Sequence, residues 1–112
     1  MRKLQIYIEI EGKQTYVGLI TGDSPQDARF AYSDSYIAAG YPPISISLPI
    51  SRNPFSAEAT KNFFEGLLPE GFARKTVANW IHAAEDDYLT ILSVLGAECL
   101  GALRISNGAD DT

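Results

Sequence analysis

The spacing of the apolar residues changes near the middle of the chain, and this change restricts the fold more than any other feature. In the first half, aliphatic residues fill alternate positions, as in Leu4, Ile6, Ile8 and Ile10. That is the period of a β-strand with one buried face. From about Ser56 onwards, apolar residues recur at every third or fourth position, which is typical of amphipathic helices. Strands followed by helices predict an α+β domain.

Turn-forming residues divide the first half into four predicted strands, at 4–10, 16–21, 28–32 and 44–48. Gly12 permits a tight turn that joins the first two strands as a hairpin. Gly18 is predicted to mark a bulge or a close backbone approach within the second strand. Between the third and fourth strands, Asp34 or Ser35 is predicted to cap a single helical turn that ends at Gly40.

The second half predicts three helices and a returning strand at 99–105. Ser56 is placed to cap the first helix, which Pro69 stops. The second helix shows one apolar face, made of Ala73, Val77, Ile81 and Ala84. The third begins at the acidic triplet 85–87, ends at Gly96, and has a stripe of Tyr88, Ile91, Leu92 and Leu95.

Together these elements predict a mainly antiparallel sheet with about three helices packed on one side. A single domain is expected over residues 1–106, and 107–112 are expected to form a flexible polar tail. A chain of 112 residues with 46% hydrophobic residues can bury one core of this kind.

Charge and composition narrow the classes of partner. The formal charge is -5 and the basic residues are scattered, which argues against direct binding of nucleic acid. No apolar run approaches the roughly 20 residues of a membrane span, so a cytoplasmic protein without membrane contact is expected. Cys99 is the sole cysteine, which excludes an internal disulfide and suits a reducing compartment.

The sequence contains few residues that could form a catalytic site. Cys99 falls in an apolar segment that is typical of a buried strand, away in sequence from the sole histidine, His82. No phosphate-binding glycine loop is present. The acidic triplet 85–87 could hold a hard cation, but a helix cap is the commoner use of such residues. We therefore expect no catalytic residue, no cofactor and no metal site, and a protein that is not an enzyme.

Four residues around the second predicted helix are candidates for contact with a protein partner: Trp80, Phe72, Arg74 and His82. Trp80 falls beside the apolar face of that helix, so it either widens the core or serves as an exposed interface residue. Arg74 could meet a carboxylate or a phosphate on a partner, or simply lie on a solvated surface. His82 either contacts a partner or favours the terminal carbonyls of the helix.

Several segments resemble the landmarks of the N-terminal subdomain of the HipA family of toxin kinases. They are 47–50 (Ser-Leu-Pro-Ile), 63–71 (Phe-Phe-Glu-Gly-Leu-Leu-Pro-Glu-Gly) with Arg74 three residues on, and 95–103 (Leu-Gly-Ala-Glu-Cys-Leu-Gly-Ala-Leu). Segment 16–19 (Tyr-Val-Gly-Leu) resembles the valine-glycine-leucine signature of the family. The likeness reaches about Ile105 and so covers nearly the whole chain. Segment 63–71 is the most specific of these.

The resemblance implies an accessory subdomain without the kinase region that follows it in full-length HipA proteins. Freestanding forms resemble the HipS-type antitoxins of three-part HipBST systems. The implied partner is a HipA-like (HipT-like) serine/threonine kinase that the small protein binds and inhibits, beside a HipB-like helix-turn-helix DNA-binding protein. Two alternatives remain open, namely a scaffold that links the kinase to the DNA-binding protein and an excised N-terminal fragment of a longer HipA kinase.

Overall fold

The fold is built from a four-stranded sheet and four helices. The computed structural model describes residues 2–68, 71–84, 86–96 and 102–107, although not the side chains of 71, 72 and 107. In chain order the elements are β1 (Arg2–Ile10), β2 (Lys13–Gly22), β3 (Arg29–Tyr32), α1 (Asp34–Ala38), α2 (Ala57–Glu65), α3 (Gly71–Trp80), α4 (Tyr88–Leu95) and β4 (Leu103–Asn107). The predicted α+β class is confirmed.

All strand pairs of the sheet are antiparallel, and the strand order is β3-β2-β1-β4. The β1–β2 turn consists of Glu11 and Gly12, whose φ angles are 51° and 81°. Two successive positive φ angles give the backbone twist that a two-residue hairpin needs. The predicted hairpin is confirmed, and β4 returns from the helical half to pair with β1.

A bulge interrupts the hairpin at the position predicted from Gly18. Ile6 lies opposite Gly18 and Tyr7 lies opposite Tyr16, so Val17 is the extra residue of β2. A Cβ atom on Gly18 would lie 2.1 Å from the carbonyl oxygen of Ala31 on β3. Only glycine permits this approach of the two strands, and the prediction is confirmed.

The two faces of the sheet differ in burial. The inner face carries side chains that are at most 4% exposed, namely Leu4, Ile6, Ile20, Phe30, Tyr32, Leu103 and Ile105. The helices pack on this face: Phe64 of α2 lies against Phe30, Tyr36 of α1 stacks on Tyr32, and Gly96 after α4 contacts Ile105. Within the described parts of the chain, no helix has the length and apolar character to cross a bilayer.

The strand predicted at 44–48 is wrong, because this segment forms a tight turn closed by a single bridge between Ser45 and Leu48. The Tyr32 hydroxyl accepts the N–H of Ile44 at 3.0 Å and donates to the carbonyl of Leu48. In a β-sheet, these two backbone groups would form hydrogen bonds with a neighbouring strand. Leu48 is fully buried, whereas Ile46 at the tip of the turn is 99% exposed.

Some of the predicted helix caps and buried faces are confirmed, and others are wrong. Ser56 caps α2 by accepting the N–H of Ala59 at 3.0 Å, and Asp87 caps α4, as predicted. The cap of α1 is Ser33 and not Asp34 or Ser35. Of the face predicted for the second helix, Val77 and Ile81 pack against the core, which confirms that part of the prediction. Ala73 is exposed, Ala84 is exposed and lies beyond the end of α3, and Ala78 is buried instead.

β4 runs over Leu103–Asn107, further along than the predicted 99–105, and so includes the first residue of the predicted tail. Several predictions concern residues outside the described ranges. They are the turn at Pro69 and Glu70, the contribution of Glu85 to the cap, the burial of Cys99 and the flexibility of 108–112.

A buried threonine joins the helices to the edge of the sheet. The Thr60 hydroxyl on α2 accepts the N–H of Phe30 at 2.9 Å and donates to the carbonyl of Ser56 at 2.9 Å. The N–H of Phe55 donates to the carbonyl of Phe30 at 2.8 Å. Both backbone groups of Phe30 are therefore satisfied by the segment that enters α2, which fixes this helix against β3.

Alkaline pH should destabilise the fold through Tyr88. Burial, and secondarily the charges of Glu65 and Asp27, raise the pKa of Tyr88 to about 12. The folded-state pKa of Tyr88 exceeds the ordinary value of about 10. Its contribution to the free energy of unfolding is therefore complete below pH 10 and is lost as the pH rises towards about 12. We expect that loss to reach about 2–3 kcal/mol in urea unfolding experiments.

The variant that checks this effect is Tyr88→Phe. Among the described residues the Tyr88 hydroxyl has no hydrogen-bond partner. We therefore expect no loss of stability at pH 7, and a gain of up to ~1 kcal/mol, with a flatter alkaline profile. Tyr7→Phe, on the other face of the sheet, should keep the alkaline loss of the unmodified chain. An unchanged profile in Tyr88→Phe would contradict the assignment.

Candidate partner-binding site

Helix α3 ends in a backbone arrangement that places His82 at a strained position. The N–H of Ala83 donates to the carbonyl of Ala78 at 2.8 Å, and the N–H of His82 donates to that of Asn79 at 3.3 Å. His82 has a φ of 60°. This is a Schellman motif, in which the left-handed position is usually occupied by glycine. His82 thus terminates α3 through its backbone, and its imidazole is exposed.

Replacing His82 with glycine should stabilise the chain by about 0.5–1 kcal/mol, because glycine adopts positive φ without a steric penalty. Urea unfolding at pH 7 measures the change. His82→Ala is the control, since it removes the imidazole but keeps the Cβ atom, and we expect no gain from it. If glycine and alanine have equal effects, the backbone at this position is not strained.

Trp80, the last residue of α3, is 80% exposed. The interpretation that it widens the core is therefore wrong. An exposed indole leaves a large apolar surface in water, and tryptophan is among the residues that contribute most to protein interfaces. Trp80 and His82 lie two residues apart, so the end of α3 presents an aromatic ring and an imidazole to the solvent.

Arg74 lies near the other end of α3 and is engaged within the chain. Its guanidinium donates to the carbonyl of Glu65 at 3.2 Å and lies 3.3 Å from the Glu65 carboxylate. The Arg74 side chain is only 15% exposed. This contact joins the end of α2 to α3, and six residues, or ~9 Å of helix, separate Arg74 from Trp80. Phe72 lies on α3, but its side chain is outside the described part of the chain.

The connection from α3 to α4 is held against the sheet by a polar cluster. Arg2 of β1 lies 3.2 Å from the carboxylate of Asp87 and donates to the Thr90 hydroxyl at 3.0 Å. That hydroxyl donates to Asp87 at 2.7 Å, and the Thr90 N–H also donates to Asp87. The cluster therefore fixes the N-terminus of α4 against the start of β1.

Burial raises the pKa of the Asp87 carboxyl, but the hydrogen bonds from Thr90 and the charge of Arg2 outweigh burial and hold the pKa below its ordinary value. Asp87 is therefore ionised at neutral pH. Because the folded-state pKa is lowered, its stabilising contribution is present above about pH 4 and is lost as the pH falls through the lowered value.

The same cluster relates this site to the end of the sheet where β4 finishes. Arg2 is two residues before Leu4, and Leu4 pairs with Asn107 at the end of β4. Asp87, at the start of α4, and Asn107, at the end of β4, therefore lie at the same end of the sheet.

A second exposed apolar region was missed in the sequence. The turn that carries Ile46 lies beside an open groove of about 550 Å³, lined by Ser47, Ala59, Asn62, Phe63, Gly66 and Leu67. The alternation of serine and isoleucine in 44–48 is typical of a strand, in which these residues would pair with a neighbouring strand. The prolines on both sides, Pro43 and Pro49, were the signal for a turn.

The acidic and imidazole side chains of the described residues are dispersed. Among 2–68, 71–84, 86–96 and 102–107, no three His, Cys, Asp or Glu side chains are grouped as metal ligands would be. The pronounced features of the site are instead an exposed indole and a helix end fixed in a single backbone geometry. The fold defines a small α+β domain, and the candidate site exposes a large aromatic side chain to the solvent.

Comparison with known proteins identifies the family. The profile of the HipA N-terminal domain matches residues 8–106, so the chain belongs to the HipA N-terminal domain family. The resemblance inferred from segments 16–19, 47–50, 63–71 and 95–103 is confirmed.

Similar sequences occur in two relatives, as a small part of one protein and as most of the other. A protein of Sinorhizobium fredii strain NGR234 named "Putative kinase Y4mE" is 36% identical over 90 residues, which are 80% of this chain but 21% of that protein. An uncharacterized protein of Haemophilus influenzae strain Rd is 30% identical over 90 residues, which are 80% of this chain and 81% of that protein. The chain thus spans about a fifth of the kinase-named relative and most of the Haemophilus protein.

Proposed function

We propose that this chain binds a HipA-like serine/threonine kinase and restrains it, as the antitoxin of a three-part toxin-antitoxin system. The observation that carries the proposal is the 80% exposure of Trp80 at the end of α3. Burying a large aromatic side chain in a partner would contribute more to affinity than the other exposed residues near it. On this proposal the chain acts by binding and has no catalytic activity of its own.

The family supports a kinase as the partner. A kinase-named relative carries a similar segment as about a fifth of its length, whereas the Haemophilus relative is of nearly the same length as the match. A domain that contacts the rest of its chain in one protein has a complementary surface ready for contact as a separate chain. Separation into two chains makes the restraint depend on concentration.

The position of the site supports the same partner. In a longer chain, a region that followed this domain would begin after β4, at the end of the sheet where Arg2 fixes the start of α4. Trp80 and His82 lie at the start of the connection that leads to Asp87 at this end. We propose that the kinase meets the domain here and that the domain covers the kinase cleft or holds it in an unproductive geometry.

The acidic character of the chain fits such a partner. A kinase cleft that binds ATP is basic, and a formal charge of -5 would speed the encounter of the two proteins. We propose a cytoplasmic complex that also contains a HipB-like helix-turn-helix protein, with DNA contacts made by that protein alone.

The test uses the purified chain and a purified short HipA-like kinase that lacks its own N-terminal subdomain. Calorimetry measures binding, and transfer of labelled phosphate to the kinase's own substrate or to itself measures inhibition at rising concentrations of the chain. We expect a complex and a dose-dependent loss of phosphorylation. Binding without inhibition would favour the scaffold alternative, and absence of binding would overturn the proposal.

A further inference from the structure

The face of the sheet that points away from the helices forms a second distinctive surface. The strand register places a set of side chains from all four strands on this side, and we call them the outer sheet face. It includes Lys3, Gln5, Tyr7, Glu9, Tyr16, Leu19, Arg29, Ala31 and Arg104. All of these residues are partly or largely exposed, in contrast to the inner face. The helices described above pack against the inner face alone.

The centre of the outer sheet face is ordered before any partner binds. The Tyr7 ring lies 5.5 Å from the ring of Tyr16, and the Arg104 guanidinium lies 5.7 Å from the centre of the Tyr7 ring. The Tyr7 hydroxyl donates to the side-chain oxygen of Gln5 at 2.8 Å. Side chains that are already held in place lose less conformational entropy when they enter an interface. Tyrosine and arginine are also the residue types that interfaces favour.

The charge of this face is opposite to that of the whole chain. Its cations are Lys3, Arg104 and, at the β3 edge, Arg29, whose side chain donates to the carbonyls of Phe55 and Pro54; the carboxylate among these residues is Glu9. The chain carries a formal charge of -5, so the remaining surface is more acidic still. Among the described residues neither Lys3 nor Arg104 has a carboxylate within ion-pair distance.

Cross-strand pairing explains part of this arrangement. Contacts such as Tyr7 with Tyr16 stabilise any antiparallel sheet. Cross-strand pairing does not explain why cations outnumber carboxylates on this face. Carboxylates are the more numerous charged groups in the whole chain and could occupy the same positions. An aromatic centre flanked by Lys3 and Arg104, which lack carboxylate partners among the described residues, is complementary to a polypeptide that offers carboxylates. Single-stranded nucleic acid fits less well, because it needs a continuous basic groove along its backbone, whereas this face holds three cations and one carboxylate, Glu9.

We propose that the outer sheet face binds an acidic polypeptide segment of a protein partner. This surface lies on the opposite side of the sheet from the helical layer that carries Trp80. The chain can therefore hold two proteins at once, one on each side. The inference does not depend on the identity of the protein that meets Trp80, and the two sites can be tested separately.

The test uses a labelled twelve-residue peptide that alternates glutamate and threonine, a lysine–threonine peptide of equal length, and a twelve-residue oligothymidylate. Binding to the full chain is followed by fluorescence anisotropy, and the site by amide shifts in nuclear magnetic resonance spectra. We compare Arg104→Glu with Arg52→Glu, which makes the same change of charge at a cation outside the sheet, 76% exposed in its side chain.

The glutamate peptide should shift the amides of β1 and β4 around Tyr7 and Arg104, and Arg104→Glu should weaken its binding at least ~fivefold while Arg52→Glu changes it little. Urea unfolding of both variants separates lost binding from lost stability. Equal weakening by the two variants, shifts confined to the helices, or tighter binding of the lysine peptide or of oligothymidylate would each overturn the proposal.

Discussion

Replacing Trp80 with alanine should weaken binding to the cognate HipA-like kinase by about 2 kcal/mol or more, which is about thirtyfold in Kd, while the free energy of unfolding changes by less than ~0.5 kcal/mol. The reason is the 80% exposure of this side chain in the free chain. Its removal takes little from the core but would take a large apolar contact from the interface. Calorimetry with the kinase and urea unfolding of the free chain measure the two quantities.

Ile46→Ala is the matched control, because it also truncates an apolar side chain that is nearly fully exposed. It should leave kinase binding within about twofold if the contact is specific to the end of α3. Restraint of the kinase should fall in parallel with binding in Trp80→Ala. Unchanged binding of Trp80→Ala, or a larger loss in Ile46→Ala, would place the main contact elsewhere and contradict the proposed site.

Replacing Gly18 with alanine should cost about 3 kcal/mol or more of the free energy of unfolding. The new Cβ atom would lie 2.1 Å from the carbonyl oxygen of Ala31, and a backbone atom cannot move away as a flexible side chain can. Relief of the clash requires β3 to separate from β2 at the pair of Leu19 and Ala31. Urea unfolding followed by circular dichroism measures the loss.

Gly40→Ala provides the comparison for Gly18→Ala. Gly40 has a φ of +77° and no atom within 4 Å of an added Cβ, so alanine there meets backbone strain but no neighbour. We expect a cost of about 1 kcal/mol at this position. Similar losses in the two variants would show that the contact between β2 and β3 adapts, and the bulge would not then require glycine.

Most of the fold could be predicted because local spacing encodes it. The alternation in 4–10, the turn at Gly12 and the stripe that contains Tyr88 and Leu92 each correspond to an observed element with the expected buried side. The cap at Ser56 was predictable for the same reason, since a cap bonds to an amide three residues away.

The errors arise where a distant residue decides the local structure. Segment 44–48 alternates like a strand, but the hydroxyl of Tyr32 takes the Ile44 amide and the Leu48 carbonyl. The stripe predicted for the second helix is only partly right, because Val77 and Ile81 pack against the core but Ala73 is exposed and Ala78 is buried. The periodicity of a helix indicates which residues share a face, but the neighbouring elements decide which face is buried.

The candidate site shows the same division. The sequence identified Trp80 as unusual but left its burial open. Exposure of Trp80 and engagement of Arg74 by Glu65 became clear only once α2 and α3 were placed side by side. The positive φ of His82 could not be predicted from the sequence, because the residue at a left-handed helix end is usually glycine.

The sequence by itself determined the α+β class, the hairpin, the glycine at the bulge and the family, because these depend on residue spacing and on short ordered strings. The tertiary structure decided which side chains of α3 meet water, which backbone groups Tyr32 and Thr60 satisfy, and that the two sides of the sheet present different surfaces. The physical reason is that hydrogen bonds and burial between residues far apart in the chain exist only when the elements pack together.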